Sequence, residues 1–115
     1  MHHKGRNPHH YEYWVDNFDN GGIPIDIPNK YKIEMLADYL AAGFTYSHGQ
    51  CTFGDEYKWW INKSSKPLLM HKNTKNFFDN IFEFLNKHFS NLKLKSLDSV
   101  CWEIILDQIE LLLKV

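Results

Sequence analysis

Histidines are concentrated at the N-terminus, and their spacing could support metal chemistry. The segment His2-His3-Lys4-Gly5-Arg6-Asn7-Pro8-His9-His10 contains four of the seven histidines of the chain, in two adjacent pairs. Neutral imidazole is the commonest protein ligand for transition metals. Adjacent histidines on a helix point in different directions, so one of each pair would bind a metal and the other would serve a neighbouring group or a substrate. A histidine-rich N-terminus is equally typical of a segment without fixed structure.

Two carboxylates farther along the chain could complete such a site. Glu34 and Asp38 lie four residues apart in a segment with helical periodicity, so their side chains should project side by side. A carboxylate can ligate a metal, and one that does not ligate can act as a general base on an activated water. The alternative is that both belong to the solvated face of an amphipathic helix.

Basic and thiol side chains offer weaker indications. Lys4 and Arg6 could hold a phosphate beside the metal, although solvation at the surface is the usual role of each residue type alone. His48 and Cys51 are three residues apart and could ligate zinc, but no second pair accompanies them. Cys51 and Cys101 form no CxxC pair, which favours free thiols in a reducing cytoplasm.

Helices should position these groups. The first long helix is expected to begin at Pro28 or Asn29 and to end at Gly43. Its predicted core-facing stripe is Ile33, Leu36, Ala37 and Leu40. Before it, Asn20-Gly21-Gly22 and two prolines predict a loop over residues 17–28, after a short helix around residues 11–14.

The second half of the chain contains two strong helical patterns. After a loop predicted over residues 44–56, a short helix is expected at about residues 55–62. Asn73 should cap a helix whose stripe is Phe77, Phe78, Ile81, Phe82 and Leu85. The last helix should run from about Asp98 to the C-terminus. It is apolar on most sides, which places it either centrally in the core or in a homodimer interface.

Size and composition limit the fold and the partners. A chain of 115 residues is long enough for one core and too short for two ordinary domains. The prediction is one all-α domain over residues 1–115, a small bundle of about four or five helices, with a His-rich segment and loop over 1–27 and a helical core over 28–115. The net charge of −1 argues against a broad nucleic-acid footprint. The polar N-terminus and the charges within 104–115 argue against a signal peptide and a membrane span, so a cytoplasmic protein is expected.

The N-terminal motif also resembles a known family. The string HHKGRNPHHYEYW, followed by IEMLADYLAAG, is similar to uncharacterised bacterial and phage proteins that carry HHxxxNPHHxEYW and an EMxADW-type helix. The resemblance covers about residues 2–45 and, more loosely, Trp59-Trp60 and residues 70–74. That family is in turn similar to the HD superfamily, which consists of all-helical metal-dependent phosphohydrolases.

The resemblance implies roles for individual residues. Asp38 would match the late Asp ligand of the HD superfamily, His3, His9 and His10 would match its additional histidines, and Glu34 would lie one helical turn before Asp38. The family normally has a His-Asp pair before the histidine segment, and this chain begins at that segment. A truncated or split form, a partner that supplies ligands, and a degenerate site are the interpretations left open.

These observations lead to ranked functional hypotheses. The first is a metal-binding, HD-like hydrolase-type domain that acts on a phosphoester or nucleotide with Mn, Fe, Zn, Ni or Mg. His3, His9, His10 and Asp38 would bind the ion, Glu34 would orient water or take its proton, and Lys4 or Arg6 would face the phosphate. The alternative is a non-catalytic module with a degenerate site that binds a host protein. A third hypothesis is a fragment that needs another chain to fold.

Overall fold

Four α-helices make up most of the protein in the computed structural model, which describes residues 11–16 and 21–114. Their bounds are Asn29–Ser47 (α1), Phe53–Ser64 (α2), Lys72–Phe89 (α3) and Ser99–Leu113 (α4). The predicted all-α class, a small helical bundle, is confirmed.

The described residues before α1 include a 3-10 turn and a pair of short antiparallel strands. A 3-10 turn at Tyr11–Trp14 leads into β1 (Val15–Asp16), which pairs antiparallel with β2 (Ile23–Pro24). Gly21 and Gly22 adopt φ values of 91° and 83°, as their glycine identity suggested. The prediction of a loop throughout residues 17–28 was wrong at β2, whose two residues pair with β1. A strand of two residues is too short to show the alternation of apolar and polar residues that indicates a strand.

Helix ends differ from the predictions where capping chemistry was misread. α1 continues past Gly43 to Ser47 and ends at His48, whose φ is 55°. The next residue, Gly49, donates its N–H to the Phe44 carbonyl at 2.8 Å. The left-handed termination is therefore supplied by the His48-Gly49 pair rather than by Gly43.

The N-termini of the other helices are set by side-chain caps. α2 begins before the predicted position because Thr52 and Asp55 form a reciprocal capping box. α3 is capped by His71, whose Nδ1 accepts from the Asn73 N–H at 3.1 Å, and not by Asn73. The predicted start of α4 at about Asp98 is confirmed, and the structure adds that Asp98 caps the helix, since its Oδ1 accepts from the Cys101 N–H at 2.8 Å.

The core lies between α2 and α3. All five residues of the predicted α3 stripe are buried, namely Phe77, Phe78, Ile81, Phe82 and Leu85. Trp60 of α2 stacks on Phe82 with ring centroids 5.4 Å apart and donates its indole N–H to Asp79 Oδ1 at 2.8 Å. This contact satisfies the polar end of a fully buried tryptophan, which is the usual requirement for burying one.

The buried faces of α1 and α4 were predicted less well. Ile33 is 41% exposed and Ala37 is exposed, whereas Lys32, Met35 and Leu36 are buried. The buried face of α1 is rotated from the predicted stripe because Lys32 pairs with Asp26 and turns inward. α4 buries only Ile105 and Ile109, so it lies at the edge of the core and is not central. Among the described helices, none has the length and apolarity needed to cross a membrane.

Candidate functional site

The two predicted carboxylates lie on the outer face of α1. Glu34 and Asp38 are both exposed, and the helix is regular between them, so they lie one turn apart as expected. The other predicted site residues lie outside the described part of the chain: the metal ligands His3, His9 and His10, and the phosphate-facing Lys4 and Arg6. The structure therefore describes only the acidic half of the predicted site.

The chain that follows the histidines contacts both α1 and α2. The ring of Trp14 lies 5.7 Å from the ring of Tyr31 on α1. The Nζ atom of Lys63, near the end of α2, lies 5.5 Å from the ring centroid of Tyr11, the residue after His10. Val15 is buried. The residues that follow the histidine segment are therefore anchored against the two helices, and one of these helices carries Glu34 and Asp38.

Within residues 11–16 and 21–114, no group of three or more His, Cys, Asp or Glu side chains is arranged to hold a metal ion. His48 is an exposed helix cap, and Cys51 places its Sγ 3.5 Å from the carbonyl oxygen of Gly43. His88 packs on the ring of Phe84 with centroids 4.6 Å apart. The described histidines thus serve separate local roles.

A buried carboxyl group between α1 and α2 was not anticipated from the sequence. Glu56 is 5% exposed, and its Oε1 atom is buried with no hydrogen-bond partner. Burial, and to a smaller extent the nearby Asp55 carboxylate, together raise the pKa of Glu56 from 4.5 to about 7. A carboxyl group that titrates near neutrality is typical of sites that bind ligands or transfer protons, although structural groups show such shifts too.

Glu56 forms part of the wall of a cleft, which we name the α1–α2 cleft. Its volume is about 430 Å³, and its lining includes Tyr39, Tyr46, Cys51, Asp55, Glu56 and Trp59. Tyr39 and Trp59 form an edge-to-face pair with ring centroids 4.9 Å apart. Gly43 also lines the cleft, and a Cβ atom there would overlap Oε1 of Glu56. The glycine in the middle of α1 therefore admits the Glu56 side chain.

A second buried charge belongs to a polar network at the start of α1. Lys32 is 6% exposed, and its Nζ atom lies 3.1 Å from Asp26 Oδ1. The Thr74 hydroxyl donates to the same Asp26 oxygen at 2.8 Å and accepts from the Ile27 N–H at 3.0 Å. Burial alone would raise the pKa of Asp26, but hydrogen bonds from Thr74 and Lys32 outweigh it and hold that pKa below its usual range.

This network borders a polar cavity. The cavity measures about 570 Å³ and is lined by Asp26 and Lys32 together with Asn73, Asn76 and Asn80 of α3. Each member of the network has a hydrogen-bond or ion-pair partner inside the protein. The main role of the network is therefore structural, since it holds the segment before α1 against α3.

The fold and these sites define a small α-helical domain with a buried carboxyl group and a separate exposed acidic pair. The chain belongs to the family of unknown function DUF5662, whose family model matches residues 1–84. The match includes the histidine segment, α1, α2 and most of α3. The predicted membership of an uncharacterised family is confirmed, and the similarity to the HD superfamily stays a prediction. No curated protein and no solved structure matches the chain.

Sequence reasoning overlooked Glu56 for a physical reason. Its burial depends on how α1 packs against α2, and a single Glu in a polar helical segment gives no sign of that packing. The one available signal was Gly43, since a glycine inside a helix costs about 1 kcal/mol relative to alanine and is retained there for a packing or functional reason. Reading Gly43 as the helix end concealed that signal.

Proposed function

We propose that the chain is a metal-binding, hydrolase-type domain whose site is formed by the N-terminal histidines and the acidic face of α1. The observation that supports this proposal most is the anchoring of Tyr11 and Trp14 on α1 and α2, directly after His9 and His10. Trp14, four residues after His10, thus contacts the helix that carries Asp38 and Glu34.

The chemistry of the donors fits a divalent ion. Asp38 and Glu34 are exposed, so ligands from another segment can reach them. The remaining donors in the proposal are His3, His9 and His10, which are imidazoles of the type that transition metals prefer. In the proposal, Asp38 and these three histidines hold the ion.

The substrate class we propose is a phosphoester or nucleotide. A divalent ion supplies Lewis-acid activation of water and of a phosphoryl group. Glu34 stands one helical turn from Asp38, where it orients the attacking water and takes its proton. Lys4 and Arg6 pair with the phosphate oxygens and hold the substrate in place.

Metal binding and turnover are tested together. Tag-free protein is dialysed against Mn²⁺, Zn²⁺ or Ni²⁺ and its metal content is measured, and hydrolysis of bis(p-nitrophenyl) phosphate is then followed with each ion. We expect bound metal and hydrolysis in the wild type, both lost in Asp38→Asn and His10→Ala. The matched control is Asp107→Asn, an exposed aspartate on α4. An equal metal content in all four proteins, or none in the wild type, contradicts the proposal.

A second candidate function is protein binding along the seam between α1 and α4. Two adjoining cavities of about 260 and about 400 Å³ follow this seam, which we name the α1–α4 groove. Ile33, Phe44, Trp102 and Leu106 line it, and each is between 38% and 46% exposed. Apolar side chains at helical spacing along two neighbouring helices form the kind of groove that receives an amphipathic helix.

The charge beside the α1–α4 groove indicates the kind of partner. Glu103, Asp107 and Glu110 are exposed on α4, and Glu110 lines the groove itself. A second copy of this acidic helix would meet like charge, so we propose an amphipathic helix with basic flanks from another protein.

Light scattering and titration with a basic amphipathic peptide distinguish binding of another protein from formation of a homodimer. We expect a monomer that binds a basic amphipathic peptide, with affinity reduced in Leu106→Asp. A concentration-dependent dimer that Leu106→Asp dissociates would instead support the predicted homodimer.

A further inference from the structure

The α1–α2 cleft combines three features that are typical of ligand-binding sites. It contains a buried carboxyl group, one oxygen of which lacks a partner. Its wall includes the aromatic pair Tyr39 and Trp59. It is large enough, at about 430 Å³, for a small organic molecule. Leaving a buried carboxyl oxygen unpaired is costly, and a rotation of the Glu56 side chain towards an occupant that supplies a donor would relieve that cost.

We propose that the α1–α2 cleft is a binding site for an alkylammonium group, in which Glu56 pairs with the charge and Tyr39 and Trp59 contact the alkyl chain. The two carboxylates of the cleft, on Asp55 and Glu56, disfavour an anion. An uncharged apolar ligand would leave Oε1 of Glu56 without a partner. A primary ammonium both donates hydrogen bonds and is attracted to aromatic faces.

A divalent metal fits the cleft less well. Hard cations require several oxygen ligands, and the Oδ2 atom of Asp55 already accepts the Thr52 N–H at 2.9 Å in the capping box. Among the described residues that line the cleft, Glu56 is therefore the one carboxyl group that does not accept a hydrogen bond of this kind. One carboxylate beside aromatic rings suits a monovalent organic cation.

The ionisation of Glu56, in the setting of its charged and titratable neighbours, makes the binding depend on pH. Asp55 lies beside Glu56 on α2, α1 contributes the hydroxyl groups of Tyr39 and Tyr46, and Cys51 contributes its thiol. Lys63 is a basic group beside the lining, and its Nζ lies 5.7 Å from the ring centroid of Trp59. Because an ammonium ligand pairs with the ionised form of Glu56, binding below neutrality must release a proton, and affinity must rise with pH.

The experiment titrates n-butylammonium into the full chain by isothermal calorimetry, with 1-butanol as the uncharged control ligand. We expect saturable binding of the ammonium only, with affinity about a hundredfold lower at about pH 5 than at about pH 8, and with a proton released on binding at about pH 5. Chemical-shift changes should centre on the Trp59 indole. Equal binding of the alcohol, or an ammonium affinity that does not change with pH, would overturn the proposal, and so would the absence of saturable binding.

Two variants sharpen this result. Glu56→Gln should weaken butylammonium binding about tenfold or more, since hydrogen bonds to charged groups contribute more than neutral ones. Glu83→Gln, an exposed glutamate on α3, should leave it unchanged. If Glu56→Gln binds the ammonium as tightly as the wild type, the assignment is wrong. The pH dependence of the wild type decides the matter even if a variant fails to fold.

Discussion

Replacing Glu56 with glutamine should change how the stability of the protein depends on pH. The carboxyl pKa is raised from 4.5 to about 7 in the folded protein. The folded state therefore keeps its proton over a pH range in which the unfolded chain has lost it. As pH rises through this range, the unfolded chain ionises Glu56 freely, whereas the folded protein can ionise it only by charging a buried carboxyl group. The free energy of unfolding therefore falls.

The size of the effect follows from the shift. One pKa unit corresponds to about 1.4 kcal/mol, so the wild type should lose about 3 kcal/mol of stability between about pH 4.5 and about pH 8.5 through this group. Glutamine keeps the shape of the protonated side chain and does not titrate. The difference in stability between Glu56→Gln and the wild type should therefore grow by about 3 kcal/mol over the same range.

Urea denaturation at a series of pH values measures this difference. Subtracting the wild-type curve from the variant curve cancels the titration of all other groups that the substitution leaves unchanged, and we expect this difference to grow as pH rises. Glu83→Gln is the matched control, because Glu83 is exposed on α3, and its curve should follow the wild type. A difference between Glu56→Gln and the wild type that stays constant with pH, or that grows towards acid, would refute the reasoning.

Four further substitutions test the packing, the cap of α2 and the Asp26–Thr74 network by chemical denaturation. Leu85→Ala should destabilise the protein by about 2–5 kcal/mol, because Leu85 is fully buried on α3, whereas Leu111→Ala, at a position 58% exposed, should cost less than about 1 kcal/mol. Similar losses for both leucines would mean that the assigned core is wrong. Thr52→Ala should cost about 1 kcal/mol by removing the capping box of α2, and an unchanged stability would exclude that cap. Thr74→Val should cost about 1–3 kcal/mol, since it leaves the N–H of Ile27 without its buried acceptor, and a neutral result would argue against the network.

Local patterns predicted part of the fold well. The α3 stripe was predictable because one helix packs its whole apolar face into the core, so periodicity and burial coincide. The start of α4 near Asp98 was predictable because helix-start signals are local in the sequence. The buried face of α1 was not, since the inward turn of Lys32 depends on Asp26 in a segment that precedes the helix.

The candidate sites were predictable to different extents. The spacing of Glu34 and Asp38 follows from helix geometry, and the structure places both on the exposed face of α1. The position of Glu56 arises from tertiary packing against Gly43, which no pattern within α2 encodes. Helical periodicity therefore predicts which carboxylates share a face, and only the packed structure reveals which one is buried.

Paramagnetic relaxation by Mn²⁺ tests the central claim most directly, because it locates an ion without requiring activity. In amide NMR spectra of isotope-labelled protein, we predict that Mn²⁺ at substoichiometric concentration broadens the signals around Glu34 and Asp38 and those of Tyr11 and its neighbours. Asp38→Asn should abolish this broadening. Broadening that instead follows the exposed acids of α4, or that persists unchanged in Asp38→Asn, would contradict a metal site between the N-terminal histidines and α1.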